Sequence, residues 1–225
     1  MLFLVLGKGK TGSLVTQVAR ERGHSVRVLD FAENHHASAL TAPALASIDV
    51  VIDFTTAEAA LQNMRAVLAL GSRIVVGTTG WYPQLNEMKA LAIKRDGALL
   101  YGTNFSIGVQ KLFSLTAELA ELDGYQFSIA ETHHESKIDA PSGTAITLRE
   151  IIEAAQPGVH VEVASHRVGD ANGEHIVTAT GPDDILELRH DALSRRGFAL
   201  GAVRAAEWLA HRSGTYDFRE IFEQL

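Results

Sequence analysis

Between His133 and Ala145 the chain reads HHESKIDAPSGTA, so two adjacent histidines, a lysine, an aspartate and a Pro-Ser-Gly-Thr run share thirteen positions. Imidazole exchanges protons near neutral pH, and a lysine ammonium binds anions or donates a proton. Ser142, Gly143 and Thr144 open SGTAITLREIIEAA, whose pattern predicts a helix with Ser142 as N-cap and Pro141 just ahead of it. The first N–H groups of such a helix attract anions, and a carboxylate is their natural ligand. The preceding YQFSIAETHH predicts a strand. Neighbouring strand residues face opposite ways, so His133 and His134 serve one site only if the strand ends there. The segment reads as a strand end, a loop carrying Lys137 and a helix start, arranged to hold a carboxylate and deliver a proton.

Rival chemistries fit these residues less well. His133, His134 and Glu135 as metal ligands would have a lysine competing with the cation, and no HExxH-like spacing is present, so no metal is expected. Ser142 as a hydrolase nucleophile lacks the GxSxG elbow. A purely structural loop would leave His134 simply hydrogen-bonded. His35 and His36, in a polar stretch, read as surface residues, and His175 and His190, in strand patterns, as structural ones.

A second constellation opens the chain. The apolar run Leu2 to Leu6 predicts a strand buried on both faces, so the chain is expected to begin inside a strand. Gly7-Lys8-Gly9-Lys10-Thr11-Gly12 follows, and then a helical pattern with Leu14, Val15, Val18 and Ala19. This order of strand, GxGxxG and helix suits a dinucleotide pyrophosphate, although the glycine pattern alone is generic. The next strand, SVRVLD, ends on Asp30, roughly twenty residues on, where an acid holds ribose hydroxyls. The cofactor is therefore expected to be NADH or NADPH. Asp30 favours NADH by repelling a 2′-phosphate, while Lys8 and Lys10 pull the other way.

Further strands and helices alternate through IDVVIDFTT, AEAALQNMRAVLALG, SRIVVGTTG, the helix opened by Pro83, and ALLYGTNFS. Their strand ends supply Thr55, Gly77, Thr78, Thr79, Gly102, Thr103, Asn104 and Phe105. In an open parallel sheet those ends line the ligand crevice. After Gly108 come the amphipathic helix VQKLFSLTAELAEL, the strand YQFSIAETHH and the helix opened by Ser142, and then strands near HVEVASHRVG, EHIVTATG and DILELRHD with no helices between them, which predicts a separate α+β unit with a mixed or antiparallel sheet. The last helix, GFALGAVRAAEWLAHRSG, shows an apolar stripe of Leu200, Val203, Ala206, Trp208 and Leu209. It is expected to pack back on the first domain, with Asn104 to Gly108 and the region of Arg195 as hinges. The expected fold is thus α/β: a Rossmann-type dinucleotide-binding domain over 1–104, completed by 197–225, and a smaller α+β domain over 105–196.

Composition narrows the partners. A net charge of −7 disfavours nucleic acid and anionic membranes. The apolar start is too short for a membrane span, and there is no cysteine, which fits the cytoplasm and excludes thiol chemistry.

The motifs GKGKTG, DFT, VVGTTG, NFSIGV, ETHHESKIDAPSGTA, GEH and GAVRAAEWL, in this order, resemble those of the 4-hydroxy-tetrahydrodipicolinate reductase (dihydrodipicolinate reductase) family along nearly the whole chain. The resemblance implies NADH- or NADPH-dependent reduction of a cyclic dicarboxylate with a C=N bond, in diaminopimelate and lysine biosynthesis. It implies that His133 is the general acid/base, that Lys137 donates a proton and holds substrate, and that His134, Gly143 and Thr144 contact the substrate carboxylates. The segments Gly7 to Gly12, Asp30, Gly77 to Thr79 and Gly102 to Phe105 would hold the dinucleotide. It further implies a homotetramer assembled through the second domain's sheet, and closure of the hinge to bring hydride and acceptor together. Three departures stand out: short stretches before Asp53 and before His160, Phe31 where dual-cofactor members often carry arginine, and Gly102-Thr103 before Asn104. Other classes compatible with the residues are a related amino-acid dehydrogenase and a dinucleotide sensor without turnover.

Overall fold

The computed structural model describes residues 1–225 and divides into two compact units, Met1–Ser106 with Arg196–Leu225, and Ile107–Arg195. In the first unit the alternating pattern forms β1 (Leu2–Leu6), α1 (Lys10–Glu21), β2 (Ser25–Leu29), the short α2 (Ala42–Leu45), β3 (Val50–Asp53), α3 (Ala57–Ala69), β4 (Arg73–Val76), α4 (Leu85–Lys94) and β5 (Ala98–Tyr101). The second unit contains α5 (Ile107–Leu119), β6 (Gln126–His133), α6 (Gly143–Ala155), β7 (Glu162–Arg167), β8 (Glu174–Thr180) and β9 (Ile185–Asp191). The chain then returns to the first unit as α7 (Arg196–Leu209), β10 (Gly214–Asp217) and α8 (Phe218–Ile221).

The first unit's six strands lie in the order β10-β5-β4-β3-β1-β2, and every neighbouring pair is parallel. Helices cover both faces, so the central strands are apolar throughout: Phe3, Leu4, Val5 and Leu6 are buried, as are Val50, Val51 and Ile52. The chain runs from β1 outward to β2 and then crosses to β3 on the other side of β1. That reversal is the switch point at which an open parallel sheet leaves a crevice beyond its carboxyl ends.

The second unit is a mixed sheet ordered β7-β6-β8-β9, with β6 parallel to β7 and the other pairs antiparallel. Alternate residues of β6 (Phe127, Ile129, Glu131, His133) turn inward, and α5 and α6 add Val109, Phe113, Leu148 and Ile152 to the same core.

Two expectations for the last segment change. Leu200 and Trp208 are only half-buried, and the face of α7 against the first unit is made by Ala199, Ala202, Val203, Ala205, Ala206 and Leu209. Small residues win there because the helix approaches closely: a Cβ on Gly201 would stand 1.8 Å from the Phe105 carbonyl oxygen. Trp208 turns aside to meet Tyr216 edge-on at 4.8 Å, with the Arg212 guanidinium 3.9 Å over its ring. The strand β10 has no counterpart in the sequence reading, because GTYD lacks an apolar run.

Gly201→Ala reverses the usual sign for a helix. The change ordinarily gains about 1 kcal/mol, whereas the clash with Phe105 is expected to destabilise the chain by about 2 kcal/mol, read from denaturant melts. A variant as stable as the parent would show that the helix can move away freely.

Candidate active site

In the second unit the site is built around Glu131, whose side chain is wholly buried. Strand pairing places Ser165 of β7 on one side of it and His175 of β8 on the other. Its Oε2 faces the Nδ1 of His133 at 2.5 Å. Its Oε1 accepts from the Arg167 guanidinium at 3.1 Å and from the Ser142 backbone N–H at 3.2 Å. Burial alone would raise this carboxyl, but the bonds from Ser165, Arg167 and Ser142 and the His133 ring outweigh it and hold it at about 2.

His133 closes β6, and its carbonyl accepts from the Val168 N–H at 2.8 Å. Burial lowers its pKa, the charges of Lys137 and Arg167 push the same way, and Glu131 opposes them. Lys137 is thus electrostatically coupled to the ring. A Cβ on Gly173 would stand 3.1 Å from the ring's Nε2, so the glycine of the GEH motif makes room for the imidazole. His134, just past the end of β6, bonds Ser136 through Nδ1 at 2.8 Å and Arg195 through Nε2 at 3.2 Å.

Lys137 reaches both oxygens of the exposed Asp139, at 2.7 and 2.8 Å. Arg167 fixes the backbone of this loop, donating to the carbonyls of Lys137 at 3.2 Å and Asp139 at 2.6 Å. Ser142 is the N-cap of α6: its Oγ accepts from the Ala145 N–H at 3.2 Å and pairs with His175 Nε2 at 3.2 Å. Gly143 is exposed, and the place of its missing Cβ is open. Imidazole, ammonium loop and helix start therefore share one strand end.

Glu131, His133 and His175 bring ligand-capable atoms within 4.8 Å of one another. Glu131 already accepts from Arg167 and faces His133, His175 Nε2 pairs with Ser142, and a cation there would face the fixed positive charge of Arg167. Burial, reinforced by His133, holds His175 down to about 3.

In the first unit Gly7, Lys8, Gly9, Asp30 and Thr55 line a cleft of about 390 Å³ at the switch point between β1 and β3. A Cβ on Gly12 would fall 2.1 Å from the Gly7 carbonyl, and one on Gly7 would fall 2.5 Å from that of Phe54. Gly9 has no neighbour within 4 Å of the same position, which leaves the start of α1 open. These features fit a dinucleotide whose pyrophosphate rests on the glycine turn. Lys10, Thr11 and Gly12 form the first turn of α1, while Gly77, Thr78 and Thr79, and Gly102 to Phe105, follow β4 and β5 and lie outside the lining of this cleft. Asp53 is buried beneath them and accepts from Thr55 Oγ1 (2.6 Å), Asn63 (2.7 Å) and Thr78 (3.3 Å). Asn63 in turn accepts from Asn34 at 2.9 Å. Phe31, singled out in the sequence for the arginine it replaces, also lines the cleft, as do Asn34, Phe54 and Asn63, which no sequence expectation assigned to it.

Two family models match the chain, one described as the N-terminus of dihydrodipicolinate reductase over residues 1–105 and one as its C-terminus over 108–222. The chain belongs to the dihydrodipicolinate reductase family. A 4-hydroxy-tetrahydrodipicolinate reductase of Christiangramia forsetii is 34% identical, over all of this chain and 99% of its own length. One from Natronomonas pharaonis is 38% identical over 94% of this chain and 96% of its own. A dipicolinate-bound dihydrodipicolinate reductase from a Paenisporosarcina species superposes with a TM-score of 0.80 at 23% identity, covering 98% of this chain and 99% of its own, and shows the same fold. The family is the one that the motifs pointed to, a group of NAD(P)H-dependent reductases of diaminopimelate and lysine biosynthesis.

Glu131 and Arg167 belong to the site, and no sequence expectation assigned a role to either. Strand alternation was the available signal for Glu131, which falls between Ile129 and His133 on the inward face of β6. The electrostatics predict an acid-sensitive second unit. His175 titrates near 3 when folded and near 6.5 when free. The folded chain then binds fewer protons between those values, so this stabilisation is complete above pH 6.5 and drains away as pH falls toward 3. Glu131, at about 2 against 4.5, adds a second loss in more acid solution. The melting temperature should fall from pH 7 to pH 4, and His175→Gln should flatten the upper part of that fall. An unchanged slope in the variant would exclude His175 as its cause.

Proposed function

We propose that the chain reduces 4-hydroxy-tetrahydrodipicolinate to tetrahydrodipicolinate in the cytoplasm, taking up a hydride and a proton and releasing water. The observation that carries this reading is the convergence of His133, the Lys137 loop and the start of α6 at the end of β6. When bound, a reduced nicotinamide supplies the hydride. The Gly7 to Gly12 turn would hold the dinucleotide's pyrophosphate and Asp30 its ribose hydroxyls, favouring NADH, with Thr55, Gly77 to Thr79 and Gly102 to Phe105 at neighbouring strand ends.

The residues of the second unit take the other half of the chemistry. Gly143 and Thr144, at the start of α6, and His134 receive the substrate carboxylates, and Lys137 exchanges the exposed Asp139 for one of them. His133 is mostly neutral at pH 7 without substrate, because burial and nearby cations lower its pKa. A dicarboxylate beside the ring brings two negative charges and pushes that pKa back up, so the imidazolium forms when there is a substrate to protonate. Glu131 keeps the Nδ1 edge toward itself, which leaves Nε2 as the edge that exchanges the proton. Lys137 stabilises negative charge developing on the substrate and is the second proton source.

Lys137→Ala and His133→Ala should each lower kcat by roughly two to four orders of magnitude, with dinucleotide affinity almost intact. Turnover of freshly generated substrate with NADH measures the first, and nicotinamide fluorescence titration the second. Unchanged turnover in either variant removes that residue from the mechanism. Because the free-enzyme ring titrates lower than the substrate-bound ring, kcat/KM should decline at lower pH than kcat does as the solution is made alkaline. Coincident profiles would contradict substrate-raised basicity. Asp30→Ala should weaken NADH more than NADPH; the opposite order would overturn the reading of the end of β2.

The sheet face away from α5 and α6 carries Ala130, Ala164, Ile176 and Thr178 side by side. We assign it to self-association into a homotetramer, which light scattering of the purified protein tests; a monomer at assay concentration would refute the assignment.

A further inference from the structure

We infer that Glu33 is a specificity-determining residue, which keeps Lys8 from recruiting a 2′-phosphate and so commits the cleft to NADH. The inference rests on the reading of that cleft as a dinucleotide site. Of the two lysines of the glycine turn that could reverse the preference set by Asp30, Lys8 lines the cleft and Lys10 does not, and an ammonium there would pair with a phosphate. Its Nζ instead lies between two carboxylates, 2.9 Å from Glu33 Oε2 and 3.1 Å from Asp30 Oδ2.

Glu33 does not hold this place by chance of a surface rotamer. Its Oε2 also accepts from the Asp30 backbone N–H at 2.9 Å, and Asp30 Oδ1 accepts from the Glu33 N–H at 3.0 Å. The two acids thus close the turn after β2 by reciprocal side-chain-to-backbone bonds, as in a capping box. The turn pins the Glu33 carboxylate at the corner where Lys8, Asp30 and Phe31 line the cleft. Two carboxylates and one ammonium leave a net charge of −1 at that corner. A ribose 2′-hydroxyl can donate to a carboxylate there, whereas a 2′-phosphate meets net repulsion and a lysine that is already engaged. Phe31 contributes no compensating cation, and its exposed ring meets His35 edge-on at 4.9 Å.

Glu33→Gln separates charge from shape, because the amide oxygen can still accept the Asp30 N–H. Dissociation constants for NADH and NADPH, measured without substrate by nicotinamide fluorescence, should show the ratio of NADPH to NADH falling roughly tenfold, while NADH affinity stays close to the parent value. In Glu33→Gln combined with Lys8→Met most of that gain should disappear, since the released lysine is its source. A merely structural Glu33 would leave the ratio unchanged in Glu33→Gln, or would weaken both cofactors equally in Glu33→Ala; either result overturns the inference. Failure of the parent protein to bind either dinucleotide would overturn the cleft assignment itself, and is a distinguishable outcome.

Discussion

A carboxylate with no exposure to water cannot sit in a protein core without partners, and the second unit is organised by how Glu131 finds its own. Each donor that satisfies it belongs to a different piece of the site. The bond to Ser142 N–H fixes the start of α6, the contact with Nδ1 orients His133, and Arg167 extends the arrangement to the loop of Lys137. Arg167 is in effect a brace, for it also satisfies two carbonyls of a loop with no regular structure. The side chains proposed for catalysis are consequently held by a network centred on Glu131. Pre-positioned dipoles and charges of this kind need no rearrangement when a substrate's charge develops.

The first unit uses a buried acid in a similar way. Asp53, at the end of β3, is pushed up by burial and restrained by Thr55, Asn63 and Thr78. Through Asn63 the chain of bonds continues to Asn34 and on to the Ala39 N–H, at 3.2 Å. It ties the loop after β2 to the strand ends on the far side of the switch point. A cleft framed by loops gains rigidity from these buried amides.

Much of this was legible in the chain because the signals were local. Apolar runs gave the parallel strands, the glycine spacing gave the turn, and Ser142 announced its own helix. What stayed hidden depends on residues remote in sequence. Arg167 matters because β7 pairs with β6 in a register that sets it opposite His133, and no local pattern contains that register. Asn34, in the loop after β2, meets Asn63 of α3, and each alone reads as a turn or surface residue. The stripe on α7 was misjudged because size, which normally marks the buried side of a helix, is the wrong guide where a backbone carbonyl lies against Gly201. The Asp30 to Glu33 spacing was in plain view, yet its meaning required knowing that Lys8 would reach both acids.

The return of Arg196–Leu225 to the first unit carries a consequence for synthesis. As the nascent chain leaves the ribosome, Met1–Ser106 emerges without the helix that packs against α1, β3 and β4 and without the edge strand beside β5. The part of its apolar sheet face beside α1 that α7 covers stays open until the second unit has been translated. The six-stranded sheet, though begun first, is completed last.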